Sequence, residues 1–195
     1  MKQMIASVLL AALATAICLA AEREDASLRD EVAVYKALIE AKQLSSRLKI
    51  LTGEEKSFEA RDDSNDNSTR KTLQDAFGDN ASEPLENWFA KQGKEHVLVM
   101  ALSKEQGWLL VDEAVIQQLH ADNKPGTFWK NFYEKFPNSG GIVAVRRVGF
   151  NRRKDKAVVF VGQAYGDLGA EASWYYLERK GGKWSFIKRS VFMMA

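Results

Sequence analysis

Residues 146–162 read RRVGFNRRKDKAVVFVG, with four arginines and two lysines packed into the first eleven positions. A basic run of this kind is either a site for something anionic or the turn of a hairpin. The apolar residues around it, Ile142–Val145 and Ala157–Val161, are rich in valine and isoleucine, and NRRKDK between them is polar. The segment therefore predicts two strands joined by a basic turn. Side chains alternate along a strand, so Arg146 and Arg147 are expected on opposite faces. One should share a face with Val143 and Val145, the other with Ala144, Val148 and Phe150. Arg152, Arg153, Lys154 and Lys156 belong to the turn, where a solvated cluster is ordinary.

The same pattern continues outward. IVAVRRVGF, AVVFVGQAY, ASWYYLERK and KWSFIKRSVF are four strand-like runs joined by NRRKDK, GDLGAE and Gly181-Gly182. Connections this short make consecutive antiparallel pairing the default, and so predict a four-stranded meander at the C-terminal end. Upstream, Phe128, Trp129, Phe132, Tyr133 and Phe136 recur at helical spacing and stop at Pro137. Leu28, Val32, Tyr35 and Ile39 predict an earlier amphipathic helix ending near Leu44, followed by a short strand over Leu48–Leu51. Leu85, Trp88 and Phe89 suggest a helical turn, Val115, Ile116 and Leu119 a short helix, and EHVLVMALS a buried strand. The polar stretch 53–72 is expected to be a flexible loop, because it lacks the apolar surface to offset chain entropy. The fold class is thus α+β, with helices packed on one face of a curved antiparallel sheet.

The chain opens MKQMIASVLLAALATAICLAAERED. A lysine, an apolar run too short to span a bilayer comfortably, and small residues before the first acid are the anatomy of a secretory signal peptide. Residues 1–21 are assigned to it and 22–195 to one domain, with no transmembrane segment after cleavage. Cys18 is the only cysteine and falls inside that peptide; lipidation there is the alternative fate. The mature chain then has no disulfide and no thiol chemistry. Charge is uneven: residues 22–141 hold 16 Lys+Arg against 22 Asp+Glu, and residues 142–195 hold 11 against 4. The two halves can pair internally or present a basic face to an acidic partner.

No motif for a cofactor or metal emerges. His96 and His120 sit on different elements, and neither a G-x-S-x-G elbow nor a phosphate-binding glycine loop is present. Asp112 with Glu113, and Asp167 with Glu171, are paired carboxylates that would need to converge in a pocket to act as acid and base. The ligand-binding candidates are Arg146, Arg147, Arg152, Arg153 and Lys154, with Trp174 and Tyr175. Trp174, Tyr175 and Tyr176 are consecutive, so at least one is expected to face away from the core. Export and near-neutral charge argue against nucleic acid as the partner.

FWKNFYEKFPNSGGIVAVRRVGFN, KAVVFVG and SWYYLERKGGKW, in that order, resemble a segment of uncharacterised exported bacterial proteins, over about residues 127–187. That resemblance implies an address and a fold segment and no activity. Such proteins often carry cysteines in the loop that here reads GQAYGDLGAEAS, and this chain has none. The YYLERKGGKWSF hairpin also resembles the last hairpin of NTF2-like and cystatin-like α+β domains, which implies a cavity between sheet and helices. The expected role is an exported, non-enzymatic binding or interaction module for an unknown small ligand or envelope protein. The alternatives are a small NTF2-like hydrolase or isomerase using cavity carboxylates, and an inhibitor of another envelope protein.

Overall fold

The computed structural model describes residues 26–52, 67–93, 95–120 and 126–194; the signal-peptide assignment and residues 53–66 of the expected loop lie outside them. In chain order the elements are helix α1 (26–40), strand β1 (Leu48–Thr52), α2 (Asn67–Phe77), a 3-10 turn (Asp79–Ala81), α3 (Ser82–Phe89), α4 (Glu95–Leu102) and β2 (Trp108–Val111). There follow α5 (Glu113–Leu119), α6 (Thr127–Lys135), β3 (Ser139–Val145), β4 (Gly149–Phe150), β5 (Lys156–Gly166), β6 (Gly169–Lys180) and β7 (Lys183–Met194). All seven strands belong to one sheet of order β2-β1-β3-β5-β6-β7, with β4 also on β5. β1 runs parallel to both β2 and β3; every other pair is antiparallel.

The fold is α+β, and the meander β3-β5-β6-β7 matches the four strand-like runs of the sequence. Its turns use the expected chemistry. Gly181 and Gly182 both take positive φ, 58° and 81°, as a two-residue turn matched to strand twist requires. Asp167-Leu168 joins β5 to β6, so GDLGAE is a turn.

Several expectations are corrected. EHVLVMALS is helical, and forms α4 instead of a strand. Leu98, Val99 and Leu102 are buried while Met100 is half exposed, which is one stripe of a helix and not a strand's alternation. An eight-residue apolar run carries too little periodicity to separate the two. The polar stretch also turns helical earlier than expected, at Asn67.

The second correction concerns coverage of the sheet, because helices lie on both faces. α1 and α4 pack on one face with Val143, Val145, Val159, Val161, Tyr175 and Leu177. α2 and α3 pack on the other with Val158, Phe160, Trp174 and Tyr176. Beyond them α5 and α6 close over Ile50, Val111 and Ile142. Trp174, Tyr175 and Tyr176 are therefore all buried, at 4 %, 0 % and 4 % exposure.

The strand expected over IVAVRRVGF is broken. Val145 pairs with Val161 and Gly149 with Val158, so four steps on this side oppose three on β5. That one-residue excess is a β-bulge at Arg146–Val148. It switches the alternation, so that Val143, Val145, Val148 and Phe150 all enter the α1-side cluster. An unbroken strand would instead put Val148 and Phe150 on the face opposite Val143 and Val145.

Just past the bulge, α3 lies directly on Gly149. A Cβ there would stand 2.0 Å from the Pro84 carbonyl oxygen and 2.6 Å from Trp88 Cβ. Gly149→Ala is expected to cost about 1–3 kcal/mol, through displacement of α3; urea unfolding that gave an unchanged midpoint would contradict this packing. Burial and then Glu178 push the Tyr176 hydroxyl up to about 12, against about 10 in the unfolded chain. Between those values the native state holds the extra proton, so this contribution is intact below pH 10 and falls as pH rises toward 12. Tyr176→Phe should flatten that fall in denaturation curves taken across the same interval.

Candidate functional site beside the basic turn

α1 carries a carboxylate inside its apolar stripe. Glu31 lies between Leu28 and Tyr35 at three- and four-residue steps, and it is fully buried. Its oxygens accept from Arg147 Nε at 2.8 Å and Arg147 Nη2 at 2.7 Å, a bidentate pair. They also accept the Val148 N–H at 3.0 Å and Lys91 Nζ at 3.2 Å. Four residues on, the Tyr35 hydroxyl donates to the Arg146 carbonyl at 2.8 Å and accepts from the Arg146 N–H at 2.9 Å. Both backbone groups of Arg146 and the Val148 N–H thus find partners on one face of α1.

Lys91, just past α3, also donates to the Val148 carbonyl at 2.8 Å and stands 4.8 Å from the Phe150 ring. Burial pushes its ammonium below the ordinary lysine range; Glu31 opposes that, while Arg147 and Lys154 reinforce it. Asp30, beside Glu31, accepts from Lys154 Nζ at 3.2 Å and Arg179 Nη1 at 3.1 Å.

The basic turn is ordered by Asn151. Its side-chain oxygen accepts the N–H groups of Asp155 and Lys156, both at 3.0 Å, and its nitrogen donates to Asp155 Oδ1 at 2.7 Å. Lys154 occupies the left-handed region with φ 52°. The turn leans against α3, where Glu83 Oε2 accepts the Arg152 N–H at 3.2 Å. Between turn, α3 and the start of α1 lies an open cleft of about 500 Å³. Arg152, Lys154, Lys91, Asn87 and Phe150 line it, together with Ser27, Asn151 and the carboxylates Glu83 and Glu86. Glu86 pairs with Arg70, and Asn87 Oδ1 accepts the Phe150 N–H at 2.9 Å, which leaves the amide nitrogen as the free end of that side chain.

The structure brings Arg152 and Lys154 to one cleft and disperses the other candidates. Arg147 is buried against Glu31, and the half-buried Arg146 is held through its backbone by Tyr35; neither lines the cleft. Arg153 is exposed on the turn. Trp174 packs 4.5 Å from Trp88 on the α2–α3 side, whereas Tyr175 lies on the α1 side near Phe186 and Arg189. Among the paired carboxylates, Asp112 caps α5 by accepting from the Ala114 N–H, and Glu171 pairs with Arg189 at 2.5 Å. Among the described residues, no three of His, Cys, Asp and Glu come together to hold a metal ion. Nor is any helix long and apolar enough to cross a membrane.

Sequence reasoning missed Glu31, Lys91 and Asn87. A carboxylate on the apolar stripe of α1 was the available signal for Glu31; nothing local marks the other two. Compared with protein-family models, curated proteins and solved structures, the chain matches none of them.

Glu31→Ala is expected to destabilise the protein by about 3–5 kcal/mol, because Arg147, Lys91 and the buried Val148 N–H all lose the carboxylate they share. Glu31→Leu combined with Arg147→Met should recover part of that loss, since Lys91 can turn to the cleft. Equal losses in single and double variants, measured by urea denaturation, would show that the ion pair is not the source.

Proposed function

We propose that the protein is an exported binding module whose cleft receives an anionic group of a small ligand. Export rests on the charged start, short apolar run and small residues of positions 1–21. The observation that carries the binding reading is the meeting of Arg152 and Lys154 with Asn87 around one opening of about 500 Å³, a size suited to a small molecule.

The electrostatics favour that occupant. The Arg152 guanidinium forms no ion pair among the described residues, and the Lys154 ammonium shares Asp30 with Arg179. Of the two cleft carboxylates, Glu86 is paired with Arg70, and Glu83, which accepts the Arg152 N–H, keeps its charge against the Arg152 and Lys154 side chains. A carboxylate, phosphate or sulfate would therefore meet a planar fork, an ammonium and an amide N–H₂ together. The ordered Asn151 turn fixes where two of these donors start, which limits the entropy lost on binding.

The test is titration with citrate and with inorganic phosphate, followed by isothermal calorimetry and by amide shifts of residues 83–91 and 150–155. Arg152→Ala and Lys154→Ala should each weaken binding about tenfold, or 1.4 kcal/mol; Arg152→Ala should leave the unfolding midpoint within error, and Lys154→Ala should lower it slightly through loss of the Asp30 pair. Affinity that is indifferent to both changes, or shifts confined to other parts of the sheet, would overturn the assignment.

A further inference from the structure

Charges of both signs line the cleft beside the basic turn: Lys91, Arg152 and Lys154 against Glu83 and Glu86. Three of these five are spent, wholly or in part, on the fold. Glu86 pairs with Arg70, Lys91 with buried Glu31, and Lys154 shares Asp30 with Arg179. Among the described residues, the Glu83 carboxylate and the Arg152 guanidinium enter no ion pair. What joins those two residues is the Arg152 backbone N–H, which donates to Glu83 Oε2 at 3.2 Å.

That contact fixes an anion and a cation as neighbours without neutralising either. The N–H engages one carboxylate oxygen at the root of the arginine, while the guanidinium stands at the far end of its stem. Both side chains are exposed, and an exposed pair gains little over water, so a ligand displaces no strong internal bond. A plain anion is attracted by Arg152 and Lys154 and repelled by Glu83. A molecule carrying both signs is attracted at each place.

Resting on the anion-binding reading above, we propose that the ligand is a small zwitterion of the amino-acid class, with its carboxylate on Arg152 and its ammonium on Glu83. Each end is matched in kind. The guanidinium offers two parallel N–H groups to the two oxygens of a carboxylate. An ammonium has three donors and no acceptor, and Glu83 keeps Oε1 and the remaining lone pairs of Oε2 for it. The Asn87 amide nitrogen, free because Oδ1 holds the Phe150 N–H, adds a donor on the carboxylate side. With three cations against two carboxylates the lining is net positive by one. An amino acid with a second carboxylate therefore balances it best, and the opening of about 500 Å³ admits one.

The experiment is calorimetric titration of the full chain with L-glutamate and with glutarate, the same diacid skeleton without the ammonium; citrate and inorganic phosphate serve as references. Glutamate should bind about tenfold more tightly than glutarate. Glu83→Gln removes the charge and keeps an amide oxygen for the Arg152 N–H, with the fold checked by circular dichroism. It should erase the preference by weakening glutamate, while glutarate binds equally or more tightly. Glutarate held by the unaltered chain as tightly as glutamate overturns the inference, as does a preference that survives Glu83→Gln. In either case, binding of glutarate, citrate or phosphate that is weakened by Arg152→Ala leaves the anion cleft standing. If none of the four compounds binds, the cleft reading falls and takes this one with it.

Discussion

The bulge at Arg146–Val148 survives because α1 supplies what a neighbouring strand would have supplied. A bulge leaves backbone donors and acceptors without ladder partners, and in a buried position each would cost on the order of 1–3 kcal/mol. Tyr35 meets both groups of Arg146, while Glu31 takes the Val148 N–H and Lys91 its carbonyl. The arrangement requires a fully buried carboxylate. Glu31 is tolerated because Arg147, Lys91 and one backbone N–H converge on it, which saturates its oxygens.

From that contact the cleft follows in steps. The extra residue moves Val148 and Phe150 onto the α1 side, and leaves Gly149 under α3 with no side chain to keep the helix off. α3 can then bring Asn87 onto the Phe150 N–H and Lys91 onto the Val148 carbonyl. The chain leaves β4 into the Asn151 turn, which folds back along α3 until Arg152 meets Glu83. Arg179 locks the far side, through its N–H on the Asp155 carbonyl and its guanidinium on Asp30. The cleft is what remains between three elements whose positions are set elsewhere.

How much of this was legible depended on how local the cause was. The four C-terminal strands and their turns were readable, since alternation, Gly181-Gly182 and GDLGAE act within a few residues. α6 and α5 were readable for the same reason. The helicity of EHVLVMALS was not, because eight apolar residues fit either period and tertiary packing decides. The bulge was not legible either: Arg146-Arg147 looks like a continuous strand until Glu31 and Tyr35, more than a hundred residues upstream, come to its side. Coverage of both sheet faces could have been suspected from Trp174-Tyr175-Tyr176, since three large rings in succession suit a strand buried twice over. The parallel placement of β1 between β2 and β3 has no sequence signature at all.

The uneven charge of the chain also finds its use. Acidic residues of the first part meet basic residues of the meander in Glu31–Arg147, Asp30–Lys154, Asp30–Arg179 and, at the rim, Glu40–Lys183. Four of the eleven basic residues of 142–195 are therefore spent holding α1 to the sheet, and a count of arginines alone overstates the field offered to a ligand. Buried Arg147 answers to Glu31, whereas Arg152 has its backbone tied to α3 and its guanidinium unpaired among the described residues. An exposed pair would add little to stability in any case. An unpaired guanidinium fixed at its root beside a cleft, by contrast, keeps its bidentate capacity for an incoming anion, and that difference separates Arg152 from the other arginines of the run.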